Sequence, residues 1–391
     1  MTYAMFLVGL FQCAMLFILG RTGGKLRQKA ARDRQEAERK PSEGWPKVAL
    51  IIPMAGERQN MDRALKSLLD QDYPDFIPVL VTATEDDAAC KLIRMLRAEH
   101  PQVQHIIAGR AEKCGQKNRN LLAAVEACGA FPDVYVFCDS THLAEKDFLR
   151  CLAGPIARGE AAICTGYHVV LPGDNSIITL AYAQSVLLMR FLQGMAAFTQ
   201  PWGGALAISR TAFARYDVAT LWSSNVVDDC SLAALLQKDG VHIRLCPAAL
   251  LKTSAHAHPL PVWRAWLERQ VLFLKFCMPA QWCILGLFAT AVVLPPVWCV
   301  WACAADIFGA GSEIASFLAL CWLCLVCWVM ARWRSFLPSK PPLGRWLQAF
   351  FCASLMFAMV WVGTIASRSI LWQNCLYRVG KGGKVLSIQR L

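Results

Sequence analysis

The hydrophobic pattern sets a soluble-type middle between two apolar ends. Tyr3 to Gly20 is 18 residues without a charge, enough to cross a hydrocarbon layer about 30 Å thick as a helix. Three more apolar runs lie near 282–305, 314–331 and 347–367. The first contains Leu294-Pro295-Pro296, which predicts a kink or a re-entrant hairpin. In the middle, short apolar strands alternate with helical periods. Val48–Ile52, Ile77–Val81, Val103–Ile107 and Val134–Cys138 read as strands, and Leu245–Leu251 as a later one. Met61–Leu69, Ala88–Glu99 and Asn118–Ala127 read as helices. Largely apolar strands joined by helices predict an α/β domain on a mainly parallel sheet over residues 48–280. In such sheets ligands bind beyond the carboxyl ends of the strands.

Composition sharpens this picture. The chain has 391 residues, 56% apolar and 17% charged, with a net charge of +12. So apolar a chain is not disordered. Nine Lys and Arg residues lie between Arg21 and Lys47. A cleaved signal would carry its basic region before the apolar core, so residues 1–20 read as an anchor. Residues 21–47 form a basic tether, either a solvated linker or a partly helical segment along the headgroups. The positive-inside rule puts the middle region in the cytoplasm. Loop 306–313 has no Lys or Arg, which suits the outside, and loop 332–345 is basic, which suits the inside. The tail, 368–391, holds Arg368, Arg378, Lys381, Lys384 and Arg390. Simple alternation across runs 281–367 puts it outside, against its charge; a Pro-Pro hairpin would return it inside. Basic residues beside membrane runs point to lipid headgroups, not to a nucleic-acid partner. The 18 cysteines read as reduced, buried thiols. Cys321-x-x-Cys324-x-x-Cys327 imitates a metal motif but lies within an apolar run.

Candidate chemistry sits at the strand ends: Pro53-Met-Ala-Gly-Glu57, Thr84-Glu85-Asp86-Asp87 and Cys138-Asp139-Ser-Thr-His142. Val226-Val-Asp228-Asp229 opens an apparent helix, Cys230–Leu236. In an acid-poor chain these carboxylates suggest a divalent cation with a diphosphate. Asp86 and Asp87 also suit a helix cap or a solvated turn. Asp139 follows a buried strand directly and needs a partner to offset desolvation. His256-x-His258 reads as metal-binding or structural. Asn175–Phe198 reads as an amphipathic helix on the membrane side, because Gln184, Arg190 and Gln193 are costly in hydrocarbon. Val262–Phe276, aromatic and basic, reads as an interfacial lid or a plain juxtamembrane helix.

Together these motifs resemble the family 2 type of nucleotide-sugar glycosyltransferase with the GT-A fold. The closest branch is that of ceramide glucosyltransferases and their bacterial relatives, hopanoid-lipid glycosyltransferases among them. Further matching segments are Gly115-Gln-Lys117-Asn118-Arg-Asn120-Leu121, Trp202-Gly203-Gly204 before Ile208-Ser-Arg210, Ile370-Leu-Trp372, Tyr377-Arg378-Val379 and Gly382-Gly383. The resemblance implies that Glu85-Asp86-Asp87 contacts the nucleotide, although the aspartate expected two residues earlier is replaced by Ala83 or Thr84. It implies that Asp139 holds the diphosphate through Mg²⁺ or Mn²⁺. Thr141 replaces the usual second aspartate, so Asp139 would bind metal nearly alone or with His142. It places the general base in the pair Asp228-Asp229, at the second member by the family's pattern; adjacent side chains about 100° apart on a helix then leave Asp228 free to cap it. Lys117 would serve the diphosphate or a uracil pocket, and Gly203-Gly204 would allow close backbone approach. The Arg/Gln-x-x-Arg-Trp motif reads here as Arg269-Gln-Val-Leu272-Phe273, keeping only its first arginine.

The resemblance therefore implies a membrane-anchored inverting transferase moving sugar from a UDP-sugar to a lipid hydroxyl, in a bacterial inner membrane. Two alternatives are a polysaccharide synthase, which normally keeps the complete motif, and a lapsed transferase serving as scaffold.

Overall fold

The computed structural model describes residues 2–391. The chain opens with α1 (Thr2–Glu38), then β1 (Val48–Pro53), α2 (Met61–Leu69), β2 (Phe76–Thr82), α3 (Ala89–Glu99) and β3 (Gln104–Ile107). Next come α4 (Gln116–Cys128), β4 (Val134–Cys138), α5 (Phe148–Ala157), β5 (Ile163–Pro172), α6 (Ile177–Gln193) and β6 (Ala205–Ser209). Three helices follow, α7 (Arg210–Arg215), α8 (Val218–Ser224) and α9 (Asp229–Lys238), before β7 (Arg244–Ala255). The C-terminal part holds α10 (Leu260–Cys277), α11 (Pro279–Ile307), α12 (Glu313–Trp333), α13 (Leu343–Thr364), β8 (Ser369–Trp372), β9 (Cys375–Val379) and β10 (Val385–Arg390).

Side chains alternate along β1, so Val48, Leu50 and Ile52 enter one apolar layer and Ala49 and Ile51 the other. With both faces covered, this strand lies at the centre of a parallel sheet. The seven strands run in the order β3-β2-β1-β4-β6-β5-β7. The β3-β2-β1-β4 half is parallel, β6 runs antiparallel to both its neighbours, and β7 is parallel to β5. The fold is a mixed α/β sandwich with a parallel-rich sheet. A separate antiparallel sheet, β10-β9-β8, is built by the tail.

Among the described residues, four helices are long and apolar enough to cross a membrane: α1, α11, α12 and α13. Residues 21–38, read from sequence as a tether, continue α1 without a break. This half of α1 grips the α/β domain. Lys29 Nζ donates to the Leu245 carbonyl (2.8 Å), and Arg34 pairs with Asp147 (3.4 Å). Residues 21–38 of the basic stretch are thus a helix docked on the α/β domain rather than a solvated linker. Pro295 and Pro296 lie inside one continuous helix, so α11 forms no re-entrant hairpin.

Candidate active site

The site is organised around Lys117, in the first turn of α4. That turn is fixed by Gly115, whose N–H donates to the Asn225 carbonyl (2.9 Å). A Cβ at Gly115 would strike the Val226 carbonyl, so only glycine lets α4 start against this loop. Lys117 Nζ then lies 2.9 Å from Asp139 Oδ1, 3.1 Å from Asp228 Oδ2 and 3.1 Å from the Gly203 carbonyl. Burial pulls down the pKa of the ammonium, but Asp139, Asp228 and Asp229 more than offset this and raise it. One ammonium thus faces three carboxylates, a negative surplus that a cation would offset.

Asp229 stands at the start of α9. Its Oδ2 accepts from the Gly203 N–H (3.1 Å) and its Oδ1 from the Cys230 N–H (2.7 Å). Burial, then the neighbouring Asp228 charge, push its pKa up to about 6, while Lys117 and the two N–H donors pull the other way. Asp228 is fully buried and aims at Lys117. Its side chain makes no capping bond, which corrects the expectation that it caps the helix; Asp229 Oδ1 takes the first N–H instead. Gly203 is the close-approach point: a Cβ there would strike Asp228 Oδ2 and come within 2.7 Å of Lys117 Nζ. Gly204 packs beneath the Trp202 indole.

Two cavities meet at this cluster. The larger, about 630 Å³, is lined by Pro53, Arg58, Lys117, Asn120, Asp139 and Arg269, among others. Trp372 and Gln373, from the tail hairpin, close one side, with Trp372 under the Arg269 guanidinium (5.6 Å). The smaller, about 260 Å³, holds Asp229 at its head. Its walls are mainly apolar: Leu188 and Leu192 of α6, Val271 and Leu274 of α10, and Ile284, Leu285 and Phe288 of α11. Helix α10 divides the two, turning Val262, Trp266 and Arg269 to the larger and Gln270, Val271 and Leu274 to the smaller.

Several expected residues sit elsewhere. Glu57, Glu85 and Asp86 are exposed and do not line the large cleft. Thr84 lowers the pKa of Asp86, its hydroxyl favouring the carboxylate. Asp87 accepts from the Gly56 N–H (2.8 Å) and the Ala89 N–H (2.9 Å), tying the β1 loop to α3. Asn118 is fully buried and donates to the Trp222 and Asn225 carbonyls, so it braces the α8–α9 connection rather than the cleft. His256 lies near Asp174 (3.6 Å), while His258 stacks on Tyr182 (4.4 Å) in the cleft wall. Leu272 and Phe273 are buried against Val226, Ile370 and Tyr377; at the two positions where the resemblance implied Arg-Trp, this chain fastens its tail. Asn120, part of the segment 115–121 that carries the resemblance, also lines the cleft. Arg58, Tyr182 and Gln373 line it without having been singled out by sequence: Arg58 directly follows a strand-end loop, but no local signal marks the other two.

Among the described residues, no three His, Cys, Asp or Glu side chains form a protein-only metal cage. Asp139 and His142, 3.8 Å apart, offer a smaller donor set. Thr253 Oγ1 lies 2.8 Å from His142 Nδ1 and 2.7 Å from His168 Nδ1, so the hydroxyl can accept from the His142 ring while bonding His168. With His142 as donor, its bare Nε2 faces Asp139, as a metal ligand requires. Burial lowers the pKa of His142 and favours that neutral ring. This pair fits Mg²⁺ or Mn²⁺ if a diphosphate supplies further oxygens, the usual way such ions are held.

Comparison with known proteins agrees with this architecture. A family model described as Glycosyl transferase family 21 matches residues 1–385. A mannosyltransferase from Pyrobaculum calidifontis, solved with GDP-Man and Mn²⁺, superimposes with a TM-score of 0.52 at 18% identity, covering 91% of this chain and 99% of that one. It supports the GT-A fold. The structure of GalNAc-T7 with UDP, GalNAc and Mn²⁺ matches with a TM-score of 0.43 at 13% identity, over 60% of this chain and 49% of that one.

Proposed function

The chain belongs to glycosyl transferase family 21, and from that premise we propose that it moves a sugar from a UDP-sugar to the hydroxyl of a membrane lipid, inverting the anomeric carbon. The carrying observation is the position of Asp229. It stands at the head of an apolar pocket that reaches the membrane helix α11, and it is linked through Gly203 and Lys117 to Asp139 in the polar cleft. A lipid chain in the pocket would bring its hydroxyl to Asp229. A growing polysaccharide would find few hydrogen-bond partners on those apolar walls.

In this reading the diphosphate lies in the large cleft, near Lys117, Arg58 and Arg269. Asp139 and His142 would hold a divalent cation, which supplies positive charge to the departing diphosphate. Lys117 adds a fixed cation at the same place, where low water content strengthens it. Asp229 takes the proton of the acceptor hydroxyl as the new bond forms. Desolvation raises its basicity, while a pKa of about 6 leaves it ionised at neutral pH. Gly203 N–H holds Oδ2 in place. The α/β domain would face the cytoplasm, where sugar nucleotides are made.

The test is transfer by the purified full-length chain in lipid nanodiscs with Mn²⁺, using panels of UDP- and GDP-sugars and extracted lipids. We expect a glycolipid from a UDP-sugar. Product from GDP-sugars alone would reject the donor, and transfer only to soluble saccharides would reject the acceptor.

A further inference from the structure

Helix α1 serves as a depth ruler for the helices around it. Near the middle of its apolar stretch, Gln12 Nε2 donates to the Val292 carbonyl of α11 (2.9 Å), and Trp322 of α12 donates to Gln12 Oε1 (3.1 Å). Further along α1, Trp333 of α12 donates to the Leu16 carbonyl (2.9 Å). Beyond that, the Arg27 guanidinium sits over the Phe336 ring (4.4 Å), and Lys29 already touches the α/β domain. So α12 descends toward the α/β side and ends there, whereas α11 starts on that side directly after α10.

Helix α13 breaks the alternation. Its first turn lies at the end of α12, where Trp346 Nε1 donates to the Met330 carbonyl (2.9 Å). Its last turn lies at the start of α11. Lys275 Nζ, near the end of α10, donates to the Thr364 (2.6 Å), Ile365 (2.8 Å) and Ser367 (2.8 Å) carbonyls. Trp282 of α11 donates to Thr364 Oγ1 (3.2 Å). Twenty-two residues make a helix of about 33 Å, enough to cross, yet both ends are tied to the same side. Between them α13 lies along α6, whose Gln184 Nε2 donates to the Trp346 carbonyl (2.7 Å). The tail that follows touches only elements of that side in its polar contacts: Val226 N–H donates to the Gly383 carbonyl (3.0 Å), and Arg390 to the Ala111 carbonyl (2.7 Å).

We propose that α13 lies in the plane of the bilayer, at the boundary between headgroups and acyl chains on the α/β side. The chain then crosses three times, through α1, α11 and α12. The outer face of α13 suits acyl chains: Leu355, Met359 and Val362, four and three residues apart, are between 53% and 59% exposed. Its flanks suit phosphate headgroups, with Arg345 before the middle and Arg368 after the end. Of the four apolar helices it also has the lowest hydropathy, 1.7. The arrangement removes the charge conflict read from sequence, since the basic loop 332–345 and the basic tail now share one side. It stands apart from the identity of donor and acceptor.

The test uses the full-length chain in sealed, oriented membrane vesicles, with a protease-cleavable epitope tag in loop 41–45, in loop 309–311 or at the C-terminus. We expect the tags at 41–45 and at the C-terminus to be cleaved from the same face, and the tag at 309–311 from the other. A C-terminal tag sharing the face of 309–311 would overturn the proposal. Because a tag can disturb insertion, depth is read separately with a fluorescent amino acid at Leu343 or at Val362, quenched by lipids brominated only in the leaflet on the α/β side. In-plane packing gives both sites similar depths; a crossing helix separates them by about 28 Å, which would also overturn it.

Discussion

The two cavities, one lined by Asp229 and the other by Lys117 and Asp139, differ in nearly every physical respect. The larger cleft lies at the ends of β1 and β4, strands buried on both faces, and is lined by three cations, Arg58, Lys117 and Arg269, and by the carboxylate of Asp139. The smaller pocket is walled by Leu, Val, Ile and Phe side chains from α6, α10 and α11, helices from separate parts of the chain. The contrast explains the central carboxylate. Asp229 borders the apolar side, so it loses water and its pKa rises; Asp228, one residue earlier, turns into the ion cluster and holds Lys117. Adjacent residues at a helix start point in different directions, and here they fall into two chemical environments.

The strongest way to break this division is Asp229→Asn. We expect transfer to fall about 10²- to 10⁴-fold, the usual worth of a general base, with UDP affinity and melting temperature nearly unchanged. A fully active variant, measured by glycolipid formation, would move the base elsewhere.

Lys117→Met attacks the polar side. It leaves Asp139 and buried Asp228 facing each other without their cation, and loss of a buried partner costs about 3–5 kcal/mol. We expect a clearly lower melting temperature, and weaker UDP binding by calorimetry once the variant is stabilised. Asp228→Asn should be milder, since Lys117 keeps Asp139.

A Leu274→Trp substitution tests the apolar side. Overfilling the pocket should raise the KM for lipid about tenfold, equivalent to about 1.4 kcal/mol, while donor affinity stays the same. An equal loss of donor affinity would show that the two cavities are not separate in function.

The smallest effect sharpens the comparison most. Because the reaction needs ionised Asp229, kcat/KM should rise with pH through about 6. Asp228 is one cause of that raised value, so Asp228→Asn should shift the acid limb to lower pH. A limb that stays in place, or moves upward, would mean that Asp228 does not act on Asp229 through its charge.

Much of the polar side was legible because it is local. A buried strand followed directly by Asp139 is a pattern within six residues, and parallel sheets put strand ends together. The same rule overreached at the β2 end, where Glu85 and Asp86 turn to solvent and Asp87 holds a backbone turn. Polarity at a strand end shows that a side chain can reach the crevice, not that it does. Asn118 misled for a related reason: a polar residue in the first turns of α4 can satisfy buried carbonyls as well as a ligand.

The sequence by itself determined the periodicities: apolar strands buried on both faces, helices between them, and four apolar helices flanking the domain. These follow from spacing, because a period of two or of 3.6 residues decides which faces can be buried. Only the tertiary structure decided what those faces meet. Trp372 enters the cleft because the tail folds back more than a hundred residues after Asp229, held by Leu272 and Phe273. Both ends of α13 reach the same side because Lys275, Trp282 and Met330 bind them there. Hydropathy measures how much a helix prefers lipid to water but carries no direction, and direction comes from the partners at its two ends.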